Sequence, residues 1–423
     1  MQKRYTLPLL LTACLAGCAS TATPVSQPAA PIVMPPDGYP RPDAASSPSA
    51  EALSADVPPI ETPLTIVPPP VGKPAAPAPR VPAISEAQGR ATLDKALPPK
   101  IRDRAGWTED IFDAFTALKL PYTAENFCAA AAVIEQESSW QSDPVVPGLP
   151  NIVWGKIGEK AAGYHIPLPL VKTALLKPSP NGRSYKERID SLRTEKQMNE
   201  LYEDMSAEAE KIGFPTIMKK NPIRTGGPMQ VSIEFAEGHV RAWPYPYPRK
   251  GGLRNEVFSR RGGLYFGIAI LLQYPAPYKD MQYRFADFNA GRYSSRNAAF
   301  QTVVGRLSGR KLARDGDLLS YEKGQANGGS TLSALQTLDN RLGMSDSAIL
   351  RDLKQEKFAA FGQTELYRKV YALADPLYGG QAPREQYPQI KLKSPKITRK
   401  LTTEWFAERV NGRYQTCLQR ATR

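Results

Sequence analysis

Apolar residues recur at helical spacing shortly after residue 120. Thr123 is a candidate N-cap, because its side chain can accept a hydrogen bond from the first turn. The apolar positions that follow share one helical face: Phe127, Ala130, Ala131 and Ile134. This spacing predicts a helix from about Ala124 to Ser138.

Three further segments also have a helical pattern. Residues 264–272 are almost wholly apolar and predict a buried core helix, in which Gly267 leaves room for a second backbone. Two amphipathic helices are predicted by repeats at Leu201, Met205 and Ile212 and at Leu366, Val370 and Leu373. No segment has sustained strand alternation, so the folded part is expected to be mainly α-helical.

Composition divides the chain near residue 100. Residues 21–100 hold 20 of the chain's 41 prolines, mixed with Ala, Ser and Val, and such a segment cannot bury a core. We expect a disordered, semi-rigid tether over residues 18–100. Residues 101–423 are long enough for a proper core, and we expect one decorated domain there.

The first residues have the pattern of an export signal. Residues 1–17 contain Lys3 and Arg4, then an apolar stretch, then small residues before Cys18. Leu15-Ala16-Gly17-Cys18 resembles a lipobox, so Cys18 is expected to carry a lipid anchor. Ala19 then implies the outer membrane, with the protein facing the periplasm of a Gram-negative bacterium. No mature segment approaches about 18 apolar residues, so a membrane-spanning helix is not expected.

The two cysteines outside the signal and the lipobox predict a disulfide. Cys14 leaves with the signal and Cys18 takes the lipid, which leaves Cys128 and Cys417. Two cysteines in an oxidising compartment favour one bridge, although two buried free thiols are the alternative. Closing so long a loop contributes roughly 5 kcal/mol in the chain-entropy model.

The net charge of +14 indicates an anionic partner or a merely solvated surface. Residues 381–423 hold ten Lys or Arg against three Glu. Nucleic acid is not the expected partner, because an exported lipoprotein rarely meets it.

Three short strings occur in order along the folded part: Ile-Glu-Gln-Glu-Ser-Ser-Trp at 134–140, Gly-Pro-Met-Gln at 227–230 and Phe-Asn-Ala-Gly at 288–291. Together they resemble the signature motifs of lysozyme-like lytic transglycosylases. The resemblance implies a mainly α, lysozyme-like helical domain with insertions. It also implies peptidoglycan glycan strands as substrate, an anionic polymer that suits the basic surface, with no cofactor and no metal.

The resemblance implies that Glu137 is the catalytic acid. Cleaving a glycosidic bond near neutral pH needs a carboxyl whose pKa is raised by apolar surroundings. Glu135 is two residues away, about 200° around a helix, so the two carboxyls cannot face one substrate. In the family a single Glu donates the proton and then helps the muramyl 6-hydroxyl attack the anomeric carbon. Ser138 is expected to hold the carboxyl or contact the glycan.

The other two strings are expected to bind substrate. Gly226-Gly227-Pro228 must form a tight turn; the resemblance implies that Gly227 brings the backbone close to the sugar. Met229 is expected in the apolar cleft wall, and Gln230 offers an amide. In the third string, Asn289 is expected to bind an N-acetyl or hydroxyl group.

One residue of the third string departs from the family pattern. Phe288 stands where the family commonly has Tyr, whose hydroxyl is implicated near the catalytic Glu. Tyr265, Tyr283 and Tyr293 are the candidates that can replace that hydroxyl, and the sequence does not choose among them.

Two alternatives use the same cleft. A muramidase that hydrolyses the bond with water ordinarily needs a second carboxylate, for which Asp287 is the nearest candidate. A non-catalytic peptidoglycan-binding lipoprotein is favoured by Phe288 and by the long interval between the first two strings. That interval predicts an insertion at about 141–222 beside the cleft. Its aromatic residues, Trp154 and Tyr164, can stack on sugars, or Trp154 can pack beneath its own loop.

Other enzyme classes lack their motifs. The only histidines, His165 and His239, do not have zinc-site spacing. Ser320-Tyr321-Glu322-Lys323 matches a Ser-x-x-Lys pattern without the strings that accompany it in penicillin-binding enzymes. Cys128 lies on an apolar helix, where an inert thiol is commoner than a nucleophile.

Overall fold

A computed structural model describes residues 84–211, 221, 223–249, 251–322, 325–326, 328–392 and 401–423. The signal, Cys18 and most of the predicted tether lie outside these residues. The described chain is mainly helical. Its α-helices are α1 Glu86–Ala96, α2 Arg104–Ala117, α3 Ala124–Ser138, α4 Leu149–Gly163, α5 Leu168–Ala174, α6 Tyr185–Asp190, α7 Glu195–Lys211, α8 Ile233–Ala242, α9 Leu253–Val257, α10 Arg260–Leu272, α11 Met281–Ala290, α12 Ser294–Ser308, α13 Ser330–Gln336, α14 Asp339–Leu342, α15 Asp346–Leu353, α16 Glu365–Ala374 and α17 Thr403–Ala421.

Strands are short and pair locally. The pairs are β1 Thr225–Gly226 with β2 Val231–Ser232, β3 Tyr321–Glu322 with β4 Gln325–Ala326, and β5 Lys391–Leu392 with β6 Leu401–Thr402. Each pair is antiparallel and two residues long. Two 3₁₀ helices cover Ala359–Gln363 and Asp375–Tyr378. The sequence-based expectation of a mainly α fold is therefore confirmed.

The predicted helices are present. The Thr123 side chain accepts from the backbone N–H of Asn126, and α3 runs from Ala124 to Ser138. The apolar segment at 264–272 is part of α10, and the two amphipathic repeats lie in α7 and α16. Ile212, which was assigned to the α7 repeat, lies outside the described residues.

The folded part begins earlier than predicted. Residues 86–96 were assigned to the tether but form α1, whose N-cap Ser85 makes a capping box with Gln88. Leu93, Ala96 and Leu97 are fully or almost fully buried in the main core. The predicted boundary at residue 100 is therefore wrong, because α1 buries its apolar face against the helices that follow.

Helix α17 fastens the end of the chain to α3. A disulfide joins Cys128 near the beginning of α3 to Cys417, with Cα atoms 5.4 Å apart. Near the end of α3, Glu135 faces Arg413 of α17. The two helices therefore run antiparallel, and α17 also packs against α11 and α1.

Helix α10 lies at the centre of the main core. Its residues from Gly262 to Ala269 are buried, and the helix packs against α2, α3 and α11. Asp110 of α2 accepts from the Nε atoms of Arg260 (2.5 Å) and Arg261 (2.8 Å), which ties α2 to the beginning of α10.

A second hydrophobic core follows α12. It contains residues between Phe300 and Ala382, and it is separate from the core formed by α1–α3, α10 and α17. Buried Arg296 donates to the carbonyls of Glu356 (2.5 Å) and Phe358 (2.9 Å). One decorated domain was expected. The folded part instead contains two hydrophobic cores, and the second lies in the helical unit at residues 300–382.

The predicted insertion is helical, with α4 to α7 between the first two strings. A loop position was expected for Trp154, but the residue lies on α4. Among the described residues, no helix is long and apolar enough to cross a membrane.

Candidate functional site

Glu137 lies in the last turn of α3, and only 8% of its surface is exposed. Its Oε2 atom is buried and has no hydrogen-bond partner within the described chain. Burial raises the pKa of Glu137 well above its ordinary value; Arg413 opposes this and the negative charge of Glu195 adds to it. The negative end of the helix dipole also disfavours a carboxylate at this position. Glu137 is therefore a carboxyl that holds its proton at higher pH than an exposed glutamate.

The chain reverses immediately after Glu137. Ser139 has φ 49° and Trp140 has φ 63°, so two consecutive residues with side chains adopt the left-handed conformation. Each costs roughly 1–3 kcal/mol and persists only where the surroundings hold it. Trp140 is held edge-on against Trp107, with ring centroids 5.3 Å apart. The end of α3 is thus fixed in a strained corner.

Ser138 does not hold the carboxyl of Glu137. Its hydroxyl donates to the carbonyl of Ile134 at 2.9 Å, and the side chain is fully buried. A serine hydroxyl that donates to the carbonyl of the preceding helical turn cannot donate the same proton to a neighbouring carboxyl. The expected contact with Glu137 is therefore replaced by a bond within α3.

The second string forms the turn of the β1–β2 hairpin, as its glycines predict. Gly227 has φ 75°, and a Cβ atom there would lie 2.2 Å from the carbonyl oxygen of Val257. Met229 is fully buried beneath Gly267 of α10, where an added Cβ would lie 2.4 Å from the methionine sulfur. The space at Gly267 therefore receives a side chain, and not the backbone that was expected there.

Gln230 ends this turn at φ 50° and is 8% exposed. Its Nε2 donates to the carbonyl of Gly227 at 3.5 Å, and its Oε1 accepts from the Thr225 hydroxyl at 3.4 Å. Both bonds are long and therefore weak. A ligand can replace them with little loss, so the amide remains available for binding.

The third string lies at the end of α11. Phe288 and Asn289 are buried, and Gly291 caps the helix at φ 104°. Oδ1 of Asn289 accepts from the Thr403 hydroxyl at 2.9 Å, which fixes the amide against the beginning of α17. The amide nitrogen makes no hydrogen bond within the described residues, so it is the atom left for a ligand.

Asp287 is not placed as a second carboxylate for Glu137. It is fully enclosed and accepts from the hydroxyls of Tyr274 and Tyr278 and from the backbone N–H groups of Tyr293 and Ser295, at 2.7–3.1 Å. Burial raises its pKa, while these bonds oppose the rise. The carboxylate charge that acts on Glu137 is that of Glu195. Asp287 instead fixes the corner between α11 and α12.

None of the three candidate tyrosines bonds to Glu137 in the described structure. The Tyr265 hydroxyl is buried without a partner in an aromatic cluster with Tyr245 and Tyr247. Tyr283 packs on Tyr278 and Tyr387, and Tyr293 packs edge-on against Tyr274. The hydroxyl that Phe288 lacks is therefore not replaced within bonding distance.

The insertion brings Glu195 to the site. The N–H of Val146 donates to the carbonyl of Arg193 at 2.7 Å, and the Thr194 hydroxyl donates to Asp143 at 3.0 Å. The segment that leaves α3 is thus paired with the residues before α7, and Glu195 is the first residue of α7. Sequence analysis missed Glu195, because this placement depends on contacts between residues about fifty positions apart.

The insertion's aromatic residues are arranged differently from one another. The Trp154 indole N–H donates to Asp190 at 2.8 Å, and the Lys172 ammonium lies 4.9 Å from the ring centroid. Tyr164 is exposed at the end of α4, next to exposed His165. The Trp154 side chain thus already has partners within the chain, whereas the Tyr164 ring is exposed.

The three strings share one backbone property. Seven non-glycine residues of the described chain have positive φ, and four of them lie in or beside the strings: Ser139, Trp140, Gln230 and Tyr293. Strained backbone of this kind concentrates at functional sites. The first and third strings both adjoin α17, whereas the second packs on α10, which touches α3 and α11. No hydrogen bond joins Glu137 to Gln230 or Asn289 in the part of the chain described.

Metal ligands do not cluster here. The described residues contain no group of three or more His, Cys, Asp or Glu side chains that could hold a metal ion. His239 is half-buried, and its Nε2 shares a 2.7 Å hydrogen bond with Gln273.

Comparisons with known proteins identify relatives. A family model described as "Protein of unknown function (DUF1615)" matches residues 100–420, which include all three strings. The chain is 49% identical over 329 residues to "Uncharacterized protein YaiW" of Escherichia coli (strain K12); the match covers 78% of this chain and 89% of the relative. No solved structure matches.

Proposed function

The chain belongs to the DUF1615 family, and we propose that it is a lytic transglycosylase that cleaves the MurNAc-GlcNAc β-1,4 bond of peptidoglycan and leaves a 1,6-anhydromuramyl end. The observation that carries this proposal is the buried Glu137 carboxyl, whose Oε2 has no partner in the described chain. A buried carboxyl with one unpartnered oxygen, at a strained corner, is costly to keep without a role.

Glu137 supplies both proton transfers in this mechanism. Because burial raises its pKa, the carboxyl holds its proton at higher pH than an exposed glutamate and can protonate the oxygen of the departing sugar. The resulting carboxylate then accepts a proton from the muramyl 6-hydroxyl as that oxygen attacks the anomeric carbon. Arg413, which favours the charged form of Glu137, stabilises the carboxylate between the two steps.

The weakly bonded amide of Gln230 and the amide nitrogen of Asn289 are proposed to bind the N-acetyl and hydroxyl groups of the glycan. Binding at either group costs the fold little, because the Gln230 bonds that a ligand replaces are long and Asn289 keeps its bond to Thr403. We also propose that Cys18 anchors the chain to the outer membrane, facing the periplasm.

A hydrolytic muramidase is the second candidate, and Glu195 is the observation that favours it. A carboxylate near the acid can activate water, as glycosidases with two carboxylates require. The two activities leave different ends: the transglycosylase leaves anhydromuramyl ends, whereas the hydrolase leaves reducing ends.

The test is mass spectrometry of products released from purified peptidoglycan by a soluble form that begins at Ala19 and so lacks the anchor residue Cys18. We expect anhydromuramyl products from the wild type and a loss of roughly 10²–10⁴-fold in rate for Glu137→Gln. Glu125→Gln is the matched control, because it removes an exposed carboxyl at the other end of α3. Reducing ends that disappear in Glu195→Gln would support the hydrolase. Undiminished cleavage by Glu137→Gln would refute both.

A further inference from the structure

Two arginines of α17 lie beside the end of α3. Arg409 and Arg413 are four residues apart and therefore share one face of the helix. Because α17 runs antiparallel to α3, Arg413 lies opposite Glu135 and Arg409 lies further towards the corner at Ser139. The charge of Arg413 acts on Glu137. The disulfide between Cys128 and Cys417 holds this face in place.

The hydrogen-bonding capacity of both guanidinium groups is largely unused. Their Nε atoms are buried and have no partner in the described chain. Arg413 makes one long bond, from Nη1 to the Arg409 carbonyl at 3.4 Å, and its Nε lies 4.0 Å from Glu135, beyond hydrogen-bond distance. Arg409 has no ion pair among the described residues and lies 5.7 Å from the centroid of the Trp405 ring.

Positive charge is concentrated on this face of α17. A guanidinium group stays protonated in proteins, so Arg409 and Arg413 keep two positive charges beside the carboxylate of Glu135. Burial lowers the pKa of Arg413 and the charge of Arg409 adds to this fall, whereas Glu135 and Glu137 oppose it. Both buried Nε–H donors lack a partner in the described chain, so the two guanidinium groups can bind a further carboxylate.

We propose that Arg409 and Arg413 form a subsite for a carboxylate carried on the lactyl arm of the muramyl residue, either the free lactyl carboxylate or one on the attached stem peptide. This inference rests on the proposed function. The bond to be cleaved is at the muramyl C1, which Glu137 serves, and of the two glycan sugars only the muramyl residue carries a lactyl arm. An anion-binding pair next to Glu137 thus selects the muramyl ring at the cleavage position.

Binding to three polymers tests the subsite in a Glu137→Gln background, which removes turnover. The polymers are intact peptidoglycan, glycan stripped of its peptides so that the lactyl carboxylate is free, and peptidoglycan whose carboxylates have been converted to amides. The soluble form beginning at Ala19 carries Arg409→Gln or Arg413→Gln, and the control is Arg423→Gln, which removes an equal charge at an exposed position.

We expect each arginine substitution to weaken binding to the polymer that carries the recognised carboxylate roughly ten- to hundredfold, the size of a lost charge-assisted hydrogen bond. Amidated peptidoglycan should bind the parent weakly and should not distinguish the variants. An effect confined to stripped glycan assigns the lactyl carboxylate, which an attached peptide converts to an amide, and an effect on intact peptidoglycan assigns a peptide carboxylate. Equal binding by all variants, or an equal loss on amidated polymer, would overturn the inference.

Arg409→Lys and Arg413→Lys separate recognition from folding. They retain the charge but not the planar fork, so we expect an intermediate loss of binding with an unchanged thermal midpoint. If binding is lost only in variants whose thermal midpoint is also lowered, the loss is one of folding and the proposed subsite is overturned. The two proposals fail separately: absence of cleavage by the wild type removes the proposed activity, while arginine-dependent binding in the Glu137→Gln background does not depend on it.

Discussion

The Thr403 hydroxyl donates a 2.9 Å hydrogen bond to the side-chain oxygen of Asn289. These residues are 114 positions apart in the chain, and both are buried. The bond orients the third string from the first residue of the last helix. The amide of Asn289 is thus positioned by a segment that the sequence motif does not include.

Replacing Thr403 with Val should therefore disturb both stability and the third string. The variant keeps the side-chain volume but leaves the Asn289 oxygen buried without its donor, which should lower the free energy of unfolding by about 1–3 kcal/mol. Urea denaturation measures this. Thr403→Ser retains the hydroxyl and should stay closer to the wild type; equal loss in both variants would assign the effect to the methyl group.

Gly267 and Gly412 make a matched pair of helical glycines. Ala at 267 forces its Cβ against Met229, so we expect Gly267→Ala to destabilise the fold by roughly 1–3 kcal/mol. Ala at 412 meets nothing within 4 Å and should stabilise α17 by about 0.5–1 kcal/mol. Thermal denaturation of both variants checks the pair. A neutral Gly267→Ala would show that Met229 is free to move.

The pH dependence of stability should reveal the proton on Glu137. Its folded pKa lies above the unfolded value, so its stabilising contribution is complete below about pH 4.5 and is lost as pH rises through the folded pKa. Glutamine has no such loss. The Glu137→Gln variant should therefore gain stability relative to the wild type as pH rises from 4.5 to 8, measured by urea denaturation. A constant difference across that range would contradict the raised pKa.

Asp287→Asn tests whether Asp287 is structural. The amide group loses the charge that four donors surround and places its own donors against backbone N–H groups, so we expect a loss of roughly 3 kcal/mol or more. Asp280→Asn is the control, because the Asp280 side chain is exposed and makes no capping bond; it should change stability by less than about 0.5 kcal/mol. Normal stability with lost cleavage would instead make Asp287 catalytic.

Local patterns predicted the helices well, because periodicity and caps are properties of neighbouring residues. Thr123 and the apolar face after it placed both ends of α3. The capping box at Ser85 and Gln88 was also present in the sequence, but the many prolines around it led to assignment of the segment to the tether. The second core was not predicted, since its separation from the first depends on tertiary packing.

The site was predicted only as far as its motifs extend. Glu137 lies at the end of a buried helix as expected, whereas the enclosure of Asp287 comes from donors that only the folded corner between α11 and α12 brings together. Glu195, Arg409 and Arg413 could not be placed, because they approach Glu137 through pairings between distant segments. The basic C-terminal segment was the one signal that pointed towards the arginines.

The disulfide between Cys128 and Cys417 has a consequence for the order of events in the cell. The ribosome makes α17 long after α3, so the helix that carries Glu137 lacks its main packing partner until α17 has been synthesised. The bond itself forms only where thiols are oxidised. Under the proposed export to the periplasm, the covalent link between α3 and α17 therefore forms only after the chain has left the cytoplasm.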